Sequence, residues 1–153
     1  MKVFIDTSAF MTLIFKDESL HQKVVDQYKL YSTGRVQLIT SDYILDELYT
    51  RCLYIAKRYK KRRDVIASDY RAGSHGAKLA IKLIKEVVVS GELTVLEVES
   101  HIFQKAESVF LKFSDHKISF TDATTYILYK DFSLDEIFTL DDDFKKMGLR
   151  ISR

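Results

Sequence analysis

KVFIDTSAF, residues 2–10, opens the sequence with a short apolar run that stops at an acid. A run of this length and composition predicts a buried β-strand. Asp6 then stands at the carboxyl end of that strand, and Thr7 and Ser8 suit the start of a helix. In open parallel sheets, ligands bind beyond the carboxyl ends of the strands. The opening therefore predicts a strand that carries a functional carboxylate to the ligand-binding edge of a sheet.

The remainder of the chain alternates predicted strands with predicted helices. Further strands are predicted at residues 36–40, 93–98 and 136–140, with a short closing strand at 149–151. Helices are predicted at residues 9–15, 19–32, 77–89, 100–113 and 121–130, with a long one from residue 42 into a basic segment. Residues 72–76 (AGSHG) are predicted as a break, because paired glycines punctuate helices. The alternation predicts an α/β fold with a parallel β-sheet flanked by helices on both faces.

Length and composition indicate the number of domains and the cellular compartment. With 153 residues, 46% of them hydrophobic, and no proline, repeat or linker, the sequence predicts a single domain over residues 1–153. Cys52 is the only cysteine, which excludes an internal disulfide and favours a reducing compartment. An acid at position 6 interrupts any signal peptide, and no stretch approaches the ~20 apolar residues of a membrane span. We therefore expect a cytoplasmic protein with no membrane partner.

Positive charge is concentrated in residues 51–63 (RCLYIAKRYKKRR), which contain no acid. The cations are Arg51, Lys57, Arg58, Lys60, Lys61, Arg62 and Arg63. Because the whole chain has a net charge of +2, these seven cations leave −5 for the rest. A basic patch on an otherwise acidic body predicts binding of a polyanion such as RNA. The alternative is a solvated helix end, since charge runs are often exposed faces.

Four acids stand where predicted strands end or predicted helices begin. Asp6 and Asp141 follow strands, whereas Glu47 and Asp122 lie in the first turns of helices. Carboxylates gathered at one edge repel one another unless a cation lies between them. Hard divalent cations prefer oxygen ligands and lower the pKa of a bound water. The pattern predicts Mg²⁺ or Mn²⁺ held by these four residues.

Each acid also has a structural alternative. Ser119-x-x-Asp122 has the form of a capping box, and Asp6 can cap the helix that follows it. Glu47 can be an exposed helical residue, and Asp141 can open a turn. For any one acid, neither the structural nor the metal-binding interpretation is preferred. The metal-binding interpretation therefore depends on the four acids together.

The motifs resemble those of the PIN-domain nucleases, including the VapC-type toxins of toxin–antitoxin pairs. The similar segments are FIDTSAF, DYILDELYT, SFTDATTY and FTLDDDFKKMGLRI, which cover essentially the whole chain in the family's order. The resemblance implies a Mg²⁺- or Mn²⁺-dependent endoribonuclease. It also implies that Asp6, Glu47, Asp122 and Asp141 are its catalytic and metal-binding residues.

Supporting residues are expected beside these acids. Ser8 matches the family's helper hydroxyl, and Thr7 and Ser119 are expected to support the carboxylates beside them. Asp143 is expected to reach the metal through water. Two positions stay open: Asp46 is an alternative to Glu47, and Asp142 and Asp143 are alternatives to Asp141. Helical spacing favours Glu47, because it lies on a face distinct from Ile44 and Leu48.

The implied partners are RNA, a small antitoxin protein and a second copy of the chain in a homodimer. Two alternatives remain: a PIN-like module that binds RNA or protein without cutting, and a housekeeping RNA-processing nuclease. A haloacid-dehalogenase-type phosphatase also begins with a strand that ends in Asp, but it needs a second Asp two residues later. Ser8 occupies that position here, which counts against this class.

Overall fold

The structure is a computed structural model that describes residues 1–15, 19–59, 72–116 and 118–153, without the side chains of residues 55–59 and 72–75. Within these ranges the strands are β1 (Lys2–Ile5), β2 (Gln37–Ser41), β3 (Leu93–Leu96), β4 (Glu136–Phe138) and β5 (Ile151–Ser152). The helices are α1 (Thr7–Ile14), α2 (His21–Thr33), α3 (Asp42–Tyr59), α4 (Ala72–Val89), α5 (Ser100–Lys112), α6 (Phe120–Asp131) and α7 (Asp143–Lys146). A short 3-10 turn, Ser114–His116, follows α5.

The strands form one sheet in the order β3-β2-β1-β4-β5, and every neighbouring pair is parallel. The chain moves from β1 through β2 to β3, and it then returns to the other side of β1 with β4 and β5. Right-handed crossovers place α1 to α4 on one face of such a sheet and α5 to α7 on the other. The packing agrees, because α1 contacts α2, α3 and α4, α3 contacts α4, and α5 contacts α6. The predicted α/β fold is confirmed.

The strand order reverses between β1 and β4. These neighbours are in register, with Ile5 opposite Phe138, and the backbone N–H of Asp6 donates to the carbonyl of Phe138 at 3.0 Å. Asp6 and Thr139 therefore leave the sheet side by side at its carboxyl edge. In open α/β sheets, the crevice at such a switch point is where ligands bind. The fold thus puts the first predicted acid at the preferred place for a site.

The core lies between the sheet and its helices. Val3, Phe4 and Ile5 of β1 are fully buried, as the apolar opening predicts. In α3, Ile44, Leu48 and Cys52 recur at helical spacing and are also fully buried. Burial raises the pKa of the Cys52 thiol to about 11, which keeps it protonated and unreactive. None of the helices in the described ranges is long and apolar enough to cross a membrane.

The AGSHG segment was predicted wrongly. Ala72–Gly76 is the beginning of α4 and not a break. A glycine inside a helix costs about 1 kcal/mol relative to alanine, so its presence needs a reason. A Cβ at Gly76 would lie 3.1 Å from the Phe15 ring, and 3.9 Å from the carbonyl oxygen of Cys52. Close packing of α4 on these neighbours explains why glycine occurs inside the helix.

Two of the three leucines of α3, Leu48 and Leu53, allow a direct test of which face the helix buries. Leu48 is fully buried, whereas 52% of Leu53 is exposed. We expect Leu48→Ala to lower the free energy of unfolding by about 2–5 kcal/mol, because it leaves a cavity. Leu53→Ala makes the same chemical change at the surface, and it is expected to cost less than about 0.5 kcal/mol. Urea unfolding followed by circular dichroism measures both, and equal losses would show that the face is assigned wrongly.

Candidate functional site

Asp6 is the most buried of the four predicted acids, with 5% of its surface exposed. It is the N-cap of α1, and its Oδ2 atom accepts three hydrogen bonds. The donors are the backbone N–H of Ser8 at 3.2 Å, the Ser8 hydroxyl at 2.7 Å and the Thr139 hydroxyl at 2.8 Å. Three donors compensate for burial of the charge. No described residue donates to Oδ1, so this oxygen can accept another ligand.

Two hydroxyls connect Asp6 to the segment that follows β4. The hydroxyl oxygens of Ser8 and Thr139 lie 3.0 Å apart. The backbone N–H of Leu140 donates to the Ser8 hydroxyl at 2.9 Å, and that of Asp141 donates to the Thr139 hydroxyl at 2.9 Å. Thr139 therefore holds Asp6 and the backbone of Asp141 together. It was not among the predicted site residues, although its place two positions before Asp141, at a strand end, is a usable signal.

The three consecutive acids after β4 have different partners. Asp141 Oδ1 accepts from the backbone N–H of Asp143 at 2.9 Å, which is the turn that begins α7. Asp142 pairs with Arg153 and Lys145, and hydrogen bonds from these cations lower its pKa. Asp143 pairs with Lys146.

Asp141 differs from both neighbours. No cation of the described chain forms an ion pair with it. Because Asp142 and Asp143 are already neutralised, Asp141 is the acid of this run whose charge is least compensated.

Asp122 is held by the capping box that its sequence motif predicts. The backbone N–H of Ser119 donates to Asp122 Oδ2 at 2.6 Å, and the Ser119 hydroxyl donates to the same atom at 2.8 Å. In return, the Ser119 hydroxyl accepts from the Asp122 backbone N–H at 3.0 Å. As at Asp6, one carboxylate oxygen receives the hydrogen bonds, and no donor in the described ranges reaches the other, Oδ1.

The pKa of Asp122 is raised to about 6. Burial of the half-buried carboxyl is the main cause, and the hydrogen bonds from Ser119 oppose it. Repulsion by Asp6 and by Asp141 raises the pKa further. These three carboxylates come from β1, α6 and the end of β4, yet they are close enough to affect one another. The structure therefore brings Asp122 within electrostatic reach of Asp6 and of Asp141, and their joint role as metal ligands stays a prediction.

Glu47 joins the group through Thr7. The Thr7 hydroxyl donates to Glu47 Oε2 at 2.7 Å, and Arg51 pairs with Glu47 Oε1 at 2.6 Å. Thr7 is itself buried and directly follows Asp6. Asp46, the alternative, is exposed on α3. Glu47 is therefore the acid of this helix that is bonded to the Asp6 segment.

The donor set suits a hard divalent cation. It consists of carboxylate oxygens, which Mg²⁺ prefers, and Mg²⁺ usually keeps several waters and binds only one or two protein carboxylates directly. Among the described residues, however, no three His, Cys, Asp or Glu side chains are close enough together to form a ready metal site. The chemistry of the donors therefore fits a divalent ion, and direct coordination requires the carboxylates to move closer.

Most of the predicted RNA-binding residues lie outside the residues that the structure describes. Lys60, Lys61, Arg62 and Arg63 fall in residues 60–71, which are not described, and the side chains of Lys57 and Arg58 are not described either. Arg51 is described, and its side chain pairs with Glu47. The proposal that this segment grips RNA therefore stays a prediction, except that one of its cations reaches the acidic group.

The model of the PIN domain family matches residues 3–149, and the chain therefore belongs to that family. The fold is similar to VapC20 of Mycobacterium tuberculosis, a toxin that cleaves the sarcin-ricin loop, with a TM-score of 0.72 and 20% identity over 96% of this chain and 95% of that one. It is also similar to VapBC2 from Rickettsia felis bound to a DNA fragment from its promoter, with a TM-score of 0.65 and 11% identity over 99% of this chain and 98% of that one. At these identities, the likeness shows a shared fold. No curated protein sequence is significantly similar.

Titration of Asp122 tests whether the acids converge. In EDTA, we expect carboxyl-carbon NMR to give Asp122 a pKa of about 6. Asp6→Asn and Asp141→Asn should each lower it, because each removes one source of repulsion. Asp46→Asn, on the exposed side of α3, is the control and should leave it unchanged. An Asp122 pKa near the ordinary value of about 3.9, or one insensitive to both substitutions, would contradict the arrangement.

The same shift makes stability depend on pH. Because the pKa of Asp122 is higher in the folded than in the unfolded chain, its ionisation opposes folding. The metal-free protein should lose stability relative to Asp122→Asn as the pH rises from about 4 through about 6. The loss of stability should stay below about 3 kcal/mol. A pKa difference of about two between the folded and the unfolded chain corresponds to roughly that free energy, and partial exposure of Asp122 reduces it. Urea unfolding in EDTA at both ends of this range measures it, and a constant difference would contradict the assignment.

Proposed function

We propose that this PIN domain is a Mg²⁺- or Mn²⁺-dependent endoribonuclease that hydrolyses RNA phosphodiester bonds. The observation that carries the proposal is geometric: Thr139 bonds both Asp6 and the backbone of Asp141 at the switch point of the sheet, and Asp122 lies near enough for both acids to raise its pKa. Repulsion between carboxylates costs stability, and a bound divalent cation would relieve it. Glu47 completes the set, and Asp143 is proposed to contribute through water.

The side chains around the acids orient them for this role. Ser8 and Thr139 hold Oδ2 of Asp6, and Ser119 holds Oδ2 of Asp122, so that Oδ1 of each carboxylate is left to bind. When bound, the ion supplies a water of lowered pKa and offsets the charge of the phosphate. These hydrogen bonds fix the orientation of each carboxylate, so that only the distance between the carboxylates has to shorten when an ion binds.

Asp122 also sets a lower pH limit for the reaction. Its carboxyl, with a pKa of about 6, holds a proton in mild acid, and this proton competes with a cation for the same oxygen. Near neutral pH the proton is mostly lost and the carboxylate is ready to bind. Activity is therefore expected to decline as the pH falls below about 6.

Cleavage of a mixed RNA pool tests the nuclease proposal. We expect wild type to cut with Mg²⁺ or Mn²⁺ and not with EDTA, and Asp6→Asn and Asp122→Asn to reduce cutting to the level seen in EDTA. Thr139→Val, which removes one of the three donors to Asp6, should lower the cleavage rate about 10–100-fold, as is typical for residues that orient metal ligands. Asp46→Asn is the control, because it removes a neighbouring acid that is exposed.

Two results would count against the proposal. If Asp6→Asn cuts RNA as fast as wild type, the activity does not come from this site. If wild type binds RNA and cuts none of it with either metal, the chain is a binding module. An Asp46→Asn variant as inactive as Glu47→Gln would instead show that the wrong acid of α3 was assigned.

We further propose that the protein is a VapC-type toxin that forms a homodimer and is neutralised by a small antitoxin. The support is its fold, which is similar to VapC20 and VapBC2 over nearly the whole of both chains. Expression of wild type should arrest growth, expression of Asp6→Asn should not, and co-expression of an adjacent short reading frame should restore growth. Normal growth under an active wild-type enzyme would favour a housekeeping nuclease, and light scattering that shows only monomer would remove the dimer.

A further inference from the structure

Two cations stand beside the acidic group, one on each flank. Arg51 of α3 pairs with Glu47 at 2.6 Å, and Lys146 of α7 pairs with Asp143. In the sheet, β1 lies between β2 and β4, which lead into α3 and α7 respectively. The two cations therefore flank Asp6, which follows β1. The ends of β2 and β4 are two strand spacings apart, about 10 Å, so the two cations approach the site from opposite sides.

Both cations are available to a ligand. The exposed fraction of the side chain is 55% for Arg51 and 54% for Lys146. Side chains on a helix lean toward its N-terminus, so Arg51 leans toward the carboxyl edge of the sheet, where α3 begins. The positive charge at this edge therefore faces the place where an RNA strand would meet the acids.

Stability alone does not explain these pairs. The cation of each pair is more than half exposed, whereas the side chains of Glu47 and Asp143 are only 23% and 25% exposed. Because water screens the exposed cation, it can exchange its carboxylate for a phosphate at small cost. Glu47 keeps the hydrogen bond from Thr7 at 2.7 Å when Arg51 leaves, and the backbone N–H of Asp143 stays bonded to Asp141 when Lys146 leaves.

We propose that Arg51 and Lys146 form a phosphate clamp, in which the two side chains exchange their carboxylate partners for RNA phosphates on either side of the bond to be cut. The inference rests on the proposed nuclease function and names how that site holds its strand. The planar guanidinium of Arg51 can bind a phosphate through two hydrogen bonds, whereas the ammonium of Lys146 acts as a point charge. Because neither group reads a base, the clamp is indifferent to sequence.

The experiment compares Arg51→Gln and Lys146→Gln with Lys82→Gln. Lys82 pairs with Glu86 on α4, which carries none of the acids, so it is a matched control for losing a cation from an exposed ion pair. The probe is a fluorescein-labelled single-stranded RNA of mixed sequence, titrated in EDTA at several salt concentrations. Each clamp variant should weaken binding about threefold to tenfold and lower the slope of log K against log salt by about 0.7, the value for one phosphate contact on a single strand.

The affinity for Mn²⁺, measured by calorimetry without RNA, shows whether Arg51 binds RNA phosphate or only positions Glu47. Removal of the charge beside Glu47 should leave the Mn²⁺ affinity of Arg51→Gln equal to or greater than that of wild type, because a neighbouring cation is lost. Unchanged salt slopes in both clamp variants would overturn the proposal. A weaker Mn²⁺ affinity with an unchanged slope would also overturn it, since Arg51 would then only position Glu47.

Failure of the clamp is distinguishable from failure of the nuclease proposal. If wild type cuts RNA with Mn²⁺ and the clamp variants bind like Lys82→Gln, only the clamp is wrong. If wild type binds RNA without cutting it and the variants show the reduced slopes, the clamp is supported and the nuclease proposal is wrong. If wild type binds no RNA, the clamp is overturned and the cleavage assay decides on the nuclease.

Discussion

The carboxylate of Asp6 is a charge buried at the end of a central strand, and the rest of the site depends on how that charge is compensated. Two hydroxyls and a backbone N–H converge on one of its oxygens. One of these hydroxyls belongs to Thr139, which in turn fixes the backbone of Asp141. Satisfying a single buried charge thus ties β1 to the segment after β4 and brings a second carboxylate to the same edge.

The structural and the functional readings of the acids are compatible. Asp6 caps α1, Asp122 completes a capping box, and Asp141 opens the turn into α7. In Asp6 and Asp122, these local bonds fall on one oxygen, and the second oxygen receives no donor within the described ranges. A cap therefore does not use up the carboxylate but orients it, so the same residue can begin a helix and contribute to a metal site.

Much of the fold follows from local sequence patterns, because apolar runs and helical spacing fix the elements that they occupy. There are two exceptions. Gly76 lies inside α4 because the helix packs closely on Phe15 there, which local sequence does not reveal. α7 has only four residues, which are too few to show a helical period in the sequence. The acids could be predicted because they stand at element ends. The bond of Thr139 to Asp6 depends on how distant segments meet, so only the place of Thr139 at a strand end could have indicated it. The pairing of Lys146 with Asp143 is local, three residues apart in α7, but it requires that short helix to form.

The central claim is that Asp6, Asp122 and Asp141 share a divalent cation. The most direct measurement is an anomalous difference map from wild-type crystals soaked in Mn²⁺. We expect a peak within bonding distance of Asp6 Oδ1 and of at least one carboxylate oxygen of Asp122 or Asp141. A map with no peak at this crevice, or with Mn²⁺ bound only to Asp142 and Asp46, would contradict the shared site.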